Sequence, residues 1–262
     1  MNKEKTEKRN WFSIKNTADI ATINIYDDIG GWGVTGEDFV YALKSLASYP
    51  MVDIRINSGG GYVSDGLVIY NALRQSKQTI RVFVDGICAS SASFLAMGAD
   101  QILMPKTSFM MIHNASGSVY GDANDMEQMA EFLKQNTDLI AGIYAERTKI
   151  DIEEIKELMS AETWFTGEQA VDKGFADELT DVQEITNRLD LSVFNKVPDL
   201  AKEKYCVLGE ECDEATSIEN KEKQEKEESK EEPEQEFTPM CSTERLKMEL
   251  DLTEKELKLS VD

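Results

Sequence analysis

Short β-branched runs alternate with stretches of helical apolar spacing from Ala18 to about Leu179. ADIATINIY (18–26) predicts a first strand, and the turn-rich DDIGGWGVTG follows it. Thr35 or Gly36 can start a helix whose apolar positions are Phe39, Val40, Leu43, Leu46 and Ala47. Val52–Ile56 predicts a strand, Asn57–Gly61 a glycine loop, Val63–Gln75 a helix and Thr79–Val84 the next strand. Strand, helix and strand in that order call for a right-handed βαβ unit and a mainly parallel sheet.

The alternation then repeats. Asp85–Ala89 is expected as a loop, Ser90–Met97 as a short helix, and Gln101–Met104 and Phe109–Ile112 as strands. Asn114–Gly121 is irregular, and Asp122 or Asn124 can cap a long helix running to about Arg147. Ile152–Met159 is a further helix, followed by Glu162–Thr166, a last αβ segment through Leu179, and a helix over residues 181–191.

Composition adds an appendage to this domain. The chain has 262 residues and a net charge of −22, half of which falls in the last fifth of the sequence. The expected organisation is a flexible N-terminus (1–17), an α/β domain (18–200), an acidic disordered linker (201–236) and a short segment (237–262) with helical or alternating apolar spacing. Such acidity argues against nucleic acid or anionic lipid as the main ligand. The charged N-terminus shows no secretory signal or membrane span. Four cysteines without a CxxC pair, and a single histidine, argue against a zinc site and fit a reducing, cytoplasmic setting.

Three segments carry candidate chemistry: INSGGGYVSDG (56–66), DGICASSASFLAMGA (85–99) and MMIHNA (110–115). Each puts special residues just past the carboxyl end of an expected strand, where open α/β sheets keep their sites. Ser90, at the first turn of a small-residue helix, is either a helix N-cap or a nucleophile at a sharp turn. His113 ends a strand, and histidine is the side chain suited to take a hydroxyl proton near neutral pH. The glycine loop can aim backbone N–H groups at an oxyanion, with Gly61 and Ser91 as the candidate donors. It lacks the Lys-Ser/Thr of a P-loop and the spacing of a dinucleotide fingerprint. Cys88 is expected as a small buried filler rather than a catalytic thiol, and Ser91 and Ser93 are nearby hydroxyls.

Together these segments resemble the Clp protease proteolytic-subunit family. INSGGGYVSDGLVIYNAL is similar to its I-N-S-P-G-G strand, loop and helix, with Gly59 in place of proline. GICASSASFLAMGA resembles its nucleophile segment, MMIHNA its M-I-H-Q-P, and WFTGEQAVDKGFADEL its later F-L-S-A-x-E-A-x-x-Y-G-L-V-D. The resemblance covers roughly residues 18–180. It implies a Clp/crotonase-type α/β fold of repeated ββα units with a long handle helix, here with a disordered acidic tail.

For function the resemblance implies a serine endopeptidase with Ser90 as nucleophile, His113 as base, Gly61 and Ser91 as oxyanion donors, and Glu162 where the family has aspartate. Asp122, Asp125 and Asp151 are the alternative acids. No metal or organic cofactor is implied. A protein or peptide substrate and a homo-oligomeric ring are expected, and the need for a partner ATPase stays open. INIYDDIGGWGVTGEDFVYALKSL and the acidic tail are similar in look to the Clp-like head-maturation (prohead) proteases of tailed bacteriophages. Those process scaffold and capsid precursors, in the host cytoplasm or the procapsid. Competing expectations are an ATPase-partnered Clp peptidase, an inactive shell or scaffold component of the same fold, an acyl-CoA enzyme of the crotonase type, and a membrane-linked Ser–Lys peptidase.

Overall fold

The computed structural model describes residues 19–181, 189 and 191–205. The expected flexible N-terminus and the segment 237–262 lie outside the described residues, as does most of the helix expected over 181–191. Of the linker expected from residue 201, only 201–205 are described, and they belong to a helix that starts at Asp199.

The core is one seven-stranded sheet. Strands β1 (Ile20–Ile25), β2 (Met51–Ser58), β3 (Thr79–Ala89), β4 (Gln101–Pro105) and β7 (Glu178–Thr180) lie side by side and all parallel. The α/β class expected from the sequence is the observed one. Helices α1 (Gly36–Ser45), α2 (Val63–Gln75) and α3 (Ser91–Ala96) provide the crossovers. Alternate residues of β1 and β2 (Ile23, Ile25, Ile54, Ile56) are fully buried, as the period-2 pattern requires. The other face of these strands carries ion pairs, Arg55 with Asp85 and Arg81 with Asp53.

The sequence expectation fails at one informative place. Asp85–Ala89 is not a loop but the second half of β3, an 11-residue strand. Its first half pairs with β4, and its second half with β5 (Phe109–Ile112). Strand β6 (Thr163–Thr166) then adds to β5 antiparallel. Asp85-Gly86 signals a turn, but tertiary partners override it. The Asp85 carboxylate receives Arg55 and the Tyr26 hydroxyl. The register between β2 and β3 shifts at Ile56–Ser58, and the Ile87 N–H donates to the Asn57 side-chain oxygen at 2.9 Å.

Helix α4 (Ala123–Thr148) is the expected long helix, with Asp122 at its N-cap in a reciprocal capping box with Asp125. Its buried residues, Ile140, Ala141, Ile143 and Tyr144, all fall near its C-terminal end, so the rest projects from this chain's core. Helix α5 (Ile152–Ser160) is capped by Asp151, and α6 (Gly167–Asp172) precedes β7. A second apolar cluster lies under β3 and β5, where Leu189, Leu191, Val197 and Ala201 pack on Ile87, Ala89, Phe109 and Met111. Helix α7 (Asp199–Tyr205) closes this segment.

Candidate active site

Strands β3 and β5 end beside each other, and their register brings Ala89 opposite Met111. Ser90 and His113 therefore leave the sheet at the same edge. The Ser90 N–H donates to the Met111 carbonyl at 3.0 Å. Ser93, one helical turn later, places its hydroxyl 2.7 Å from the carbonyls of both Ser90 and Met111 and 2.7 Å from the Tyr144 hydroxyl. Burial raises the Tyr144 pKa far above its usual value, so this phenol stays a neutral hydrogen-bonding group.

At Ser90 the backbone turns through φ 55°, ψ −123°. That region costs a non-glycine residue on the order of 1–3 kcal/mol and persists only where surrounding bonds hold it. Ser90 occupies the N-cap position of α3 but makes no side-chain cap bond. Its Oγ lies instead 2.8 Å from His113 Nε2. With the ring proton on Nδ1, the hydroxyl donates to Nε2, which is the pairing a base needs to take the proton. Burial lowers the His113 pKa, and the Glu162 charge opposes part of that shift. The ring is thus neutral and able to accept at neutral pH.

The glycine loop lies against the serine turn. Ile29 bridges it from outside: its N–H donates to the Gly60 carbonyl at 2.7 Å and its carbonyl accepts from Tyr62 N–H at 2.8 Å. Alternate groups of an extended chain point opposite ways, so the Gly61 N–H faces away from Ile29. Among the described residues, neither the Gly61 nor the Ser91 N–H has a protein acceptor. Gly60 (φ +97°) is required by contact: a Cβ there would sit 2.6 Å from the Ala89 carbonyl and 2.9 Å from the Ser91 nitrogen. Ser58 supports the loop by accepting from Gly60 N–H and donating to the Asp27 carbonyl. A cleft of about 40 Å³ opens between Gly61, Ser90 and His113, walled by Val63, Phe94, Ile140 and Tyr144.

Of the expected site residues, the fold thus brings Ser90, His113, Gly61 and the Ser91 N–H together. Glu162 is placed differently from an acid that grips its histidine. Its carboxylate accepts the backbone N–H groups of Asn195 (3.0 Å) and Lys196 (2.6 Å), with the Asn195 side chain at 3.2 Å and the Trp164 indole at 3.4 Å. It reaches His113 by its charge. Burial alone would raise the Glu162 pKa, but these hydrogen bonds outweigh it and hold the carboxyl below its usual range. The alternative acids are occupied elsewhere: Asp122, Asp125 and Asp151 all cap helices. Cys88 is fully buried, and burial pushes its thiol pKa up, as fits a filler.

Ser93, Tyr144, Ser58 and Asn57 escaped the sequence reading as supports. For Ser93 a signal existed, since it stands three residues after Ser90 on one helix. For Tyr144, 51 residues beyond Ser93, none did. Among the described residues no group of three or more His, Cys, Asp or Glu could hold a metal ion, and no helix is long and apolar enough to cross a membrane.

The family model described as Clp protease matches residues 36–183. This chain belongs to the Clp protease family. The match contains the serine turn, the glycine loop, the histidine strand and Glu162. Similar proteins include the ATP-dependent Clp protease proteolytic subunit 2 of Bifidobacterium longum, 31% identical over 141 residues, covering 52% of this chain and 68% of that one. The subunit of the same name from Rhodococcus jostii is 32% identical over 131 residues, covering 49% and 67%. Among solved structures, a ClpP1 point mutant from Listeria monocytogenes superposes with a TM-score of 0.55 at 25% identity, covering 61% of this chain and 91% of that one. These Clp relatives are bacterial proteolytic subunits, and they lend no support to the resemblance to phage head-maturation enzymes.

Proposed function

We propose that this Clp-family chain is a serine endopeptidase in which Ser90 attacks the peptide carbonyl. The observation that carries the reading is the 2.8 Å approach of His113 Nε2 to a Ser90 Oγ that makes no helix cap. As Oγ bonds to the carbonyl carbon, its proton passes to Nε2 and the carbonyl π electrons move onto oxygen. The Gly61 and Ser91 N–H groups donate to that oxyanion, and Glu162 offsets the charge of the imidazolium. Collapse of the intermediate breaks the C–N bond, and the Nε2 proton goes to the leaving amine. Water then repeats the sequence on the acyl-serine and releases the acid, restoring Oγ–H.

The relatives are named as subunits of ATP-dependent proteases, which favours a homo-oligomeric ring served by an ATPase over self-contained processing of capsid or scaffold precursors. The exposed Met126, Phe132 and Leu139 on α4 are available for contact between subunits. The test is intact-mass spectrometry of wild type and Ser90→Ala without ATP, together with fluorophosphonate labelling. Rapid labelling of wild type alone supports the peptidase; absence of labelling in both refutes it. Tail fragments released by wild type alone, without ATP, would shift the reading to the maturation role.

A further inference from the structure

The family match ends at residue 183, yet the described chain returns to the site after it. Leu189, Leu191, Val197 and Ala201 are all at most 9% exposed against Ile87, Ala89, Phe109 and Met111. These floor residues belong to the two strands that deliver Ser90 and His113. Burial of each large apolar anchor is worth roughly 1.5–3 kcal/mol, enough to seat a short segment firmly. Between the anchors, the segment spends its polar and aromatic groups on the site. The Phe194 ring meets His113 edge-on at 5.7 Å and also packs on Trp164 at 5.7 Å. The next two residues, Asn195 and Lys196, supply three of the four donors to the Glu162 carboxylate.

Resting on the peptidase reading above, we propose that the segment 191–197 is a built-in part of the active site, with Phe194 and Asn195 as positioning residues for His113 and Glu162. Neither touches the cleft beside Ser90, so neither is catalytic in its own right. Phe194 walls the imidazole from water and fixes its plane. The Asn195–Lys196 turn holds Glu162 as a stationary anion at electrostatic, not hydrogen-bonding, range. The groups facing the ring are the Ser90 hydroxyl from the β3–α3 turn, Glu162 from the entry to β6, and Phe194; Glu162 is the one charged group acting on it among the described residues. The Lys196 ammonium is turned aside, donating to the Ala161 carbonyl.

The chain has one histidine, so NMR of ¹³C-histidine-labelled full-length protein follows His113 without ambiguity. Phe194→Ala opens the ring to water and should raise its titration midpoint by about half a unit to one unit. Phe194→Leu, which keeps apolar cover, should restore most of the wild-type value. In peptide cleavage, Phe194→Ala should lower kcat about tenfold with KM little changed. A folded Phe194→Ala with an unmoved midpoint would overturn the proposal. Should that variant not fold, Asn195→Ala decides: a kcat lowered several-fold at constant KM supports the proposal, and an unchanged kcat overturns it. The titration needs no turnover. A chain without peptidase activity would therefore defeat the functional reading while the midpoint still judged this one.

Discussion

The Ser90 N–H donates to the Met111 carbonyl at 3.0 Å, tying the turn that presents the serine to the strand that presents the histidine. The bond spans 21 residues of sequence and joins the ends of adjacent parallel strands. It explains how two side chains on separate elements stay within 2.8 Å of each other. The Ser93 hydroxyl approaches the same carbonyl, so that one oxygen anchors both ends of the first turn of α3.

Ser90→Ala and His113→Ala should each lower peptide cleavage by about 10⁴-fold or more, since a serine and its base act as a unit. Both variants should melt near wild type, because neither side chain supports the core. Circular dichroism alongside a fluorogenic peptide assay checks this; full activity in either variant would remove that residue from the mechanism.

The acid limb of the pH–rate profile should lie below the ordinary histidine value of about 6.5. The direction follows from burial, which favours the neutral ring, so protonation and loss of activity require a lower pH. An acid limb above 6.5 would contradict the enclosed imidazole.

Glu162→Gln should move that limb further down, because the charge it removes raises the His113 pKa. The rate should fall only about tenfold, well short of the ~10⁴ seen where an acid is hydrogen-bonded to its base. Phe194→Ala and Glu162→Gln therefore shift the same limb in opposite directions, and a pair of pH profiles distinguishes them.

Ser93→Ala should cost about 1–3 kcal/mol, since it leaves the buried Tyr144 hydroxyl without its partner. Tyr144→Phe should cost less, because the Ser93 hydroxyl keeps its carbonyl acceptors. Chemical denaturation of the two variants gives the ranking.

Gly60→Ala should lower kcat about 100-fold, as expected when a reacting group is displaced by roughly 1 Å. The new methyl would press on the Ala89 carbonyl and the Ser91 nitrogen, which are backbone atoms and cannot rotate away. A kcat within twofold of wild type would show that the glycine loop does not set the site.

The parts of the site legible in the sequence were those fixed by neighbours along the chain. Ser90 follows its strand directly, His113 follows β5, and the glycines of the loop are contiguous, so composition and order disclose them. What stayed hidden depended on distant partners. The turn signal of Asp85-Gly86 is local and strong, but Arg55 and Tyr26, 30 and 59 residues away, turn it into strand. Glu162 was found by its place in a motif, while three of its four hydrogen-bond donors, from Asn195 and Lys196, lie more than 30 residues downstream in a stretch with no motif at all. Ser90 as an N-cap was a fair local reading: it holds that position in α3, but its hydroxyl turns to His113 instead of capping the helix.

Two of the three described non-glycine residues with positive φ are Ser90 and Glu162. At Ser90 the backbone alone would suit glycine better, so the turn that presents the hydroxyl gives up some stability, whereas at Glu162 the four hydrogen bonds of the carboxylate offset the same cost. Ser90→Gly should accordingly melt above Ser90→Ala, by about 1 kcal/mol in stability, although both lack the hydroxyl. Glycine at either position would relax the backbone and discard what the side chain does: the approach of Oγ to His113 at one, the tie to Asn195 and Lys196 at the other.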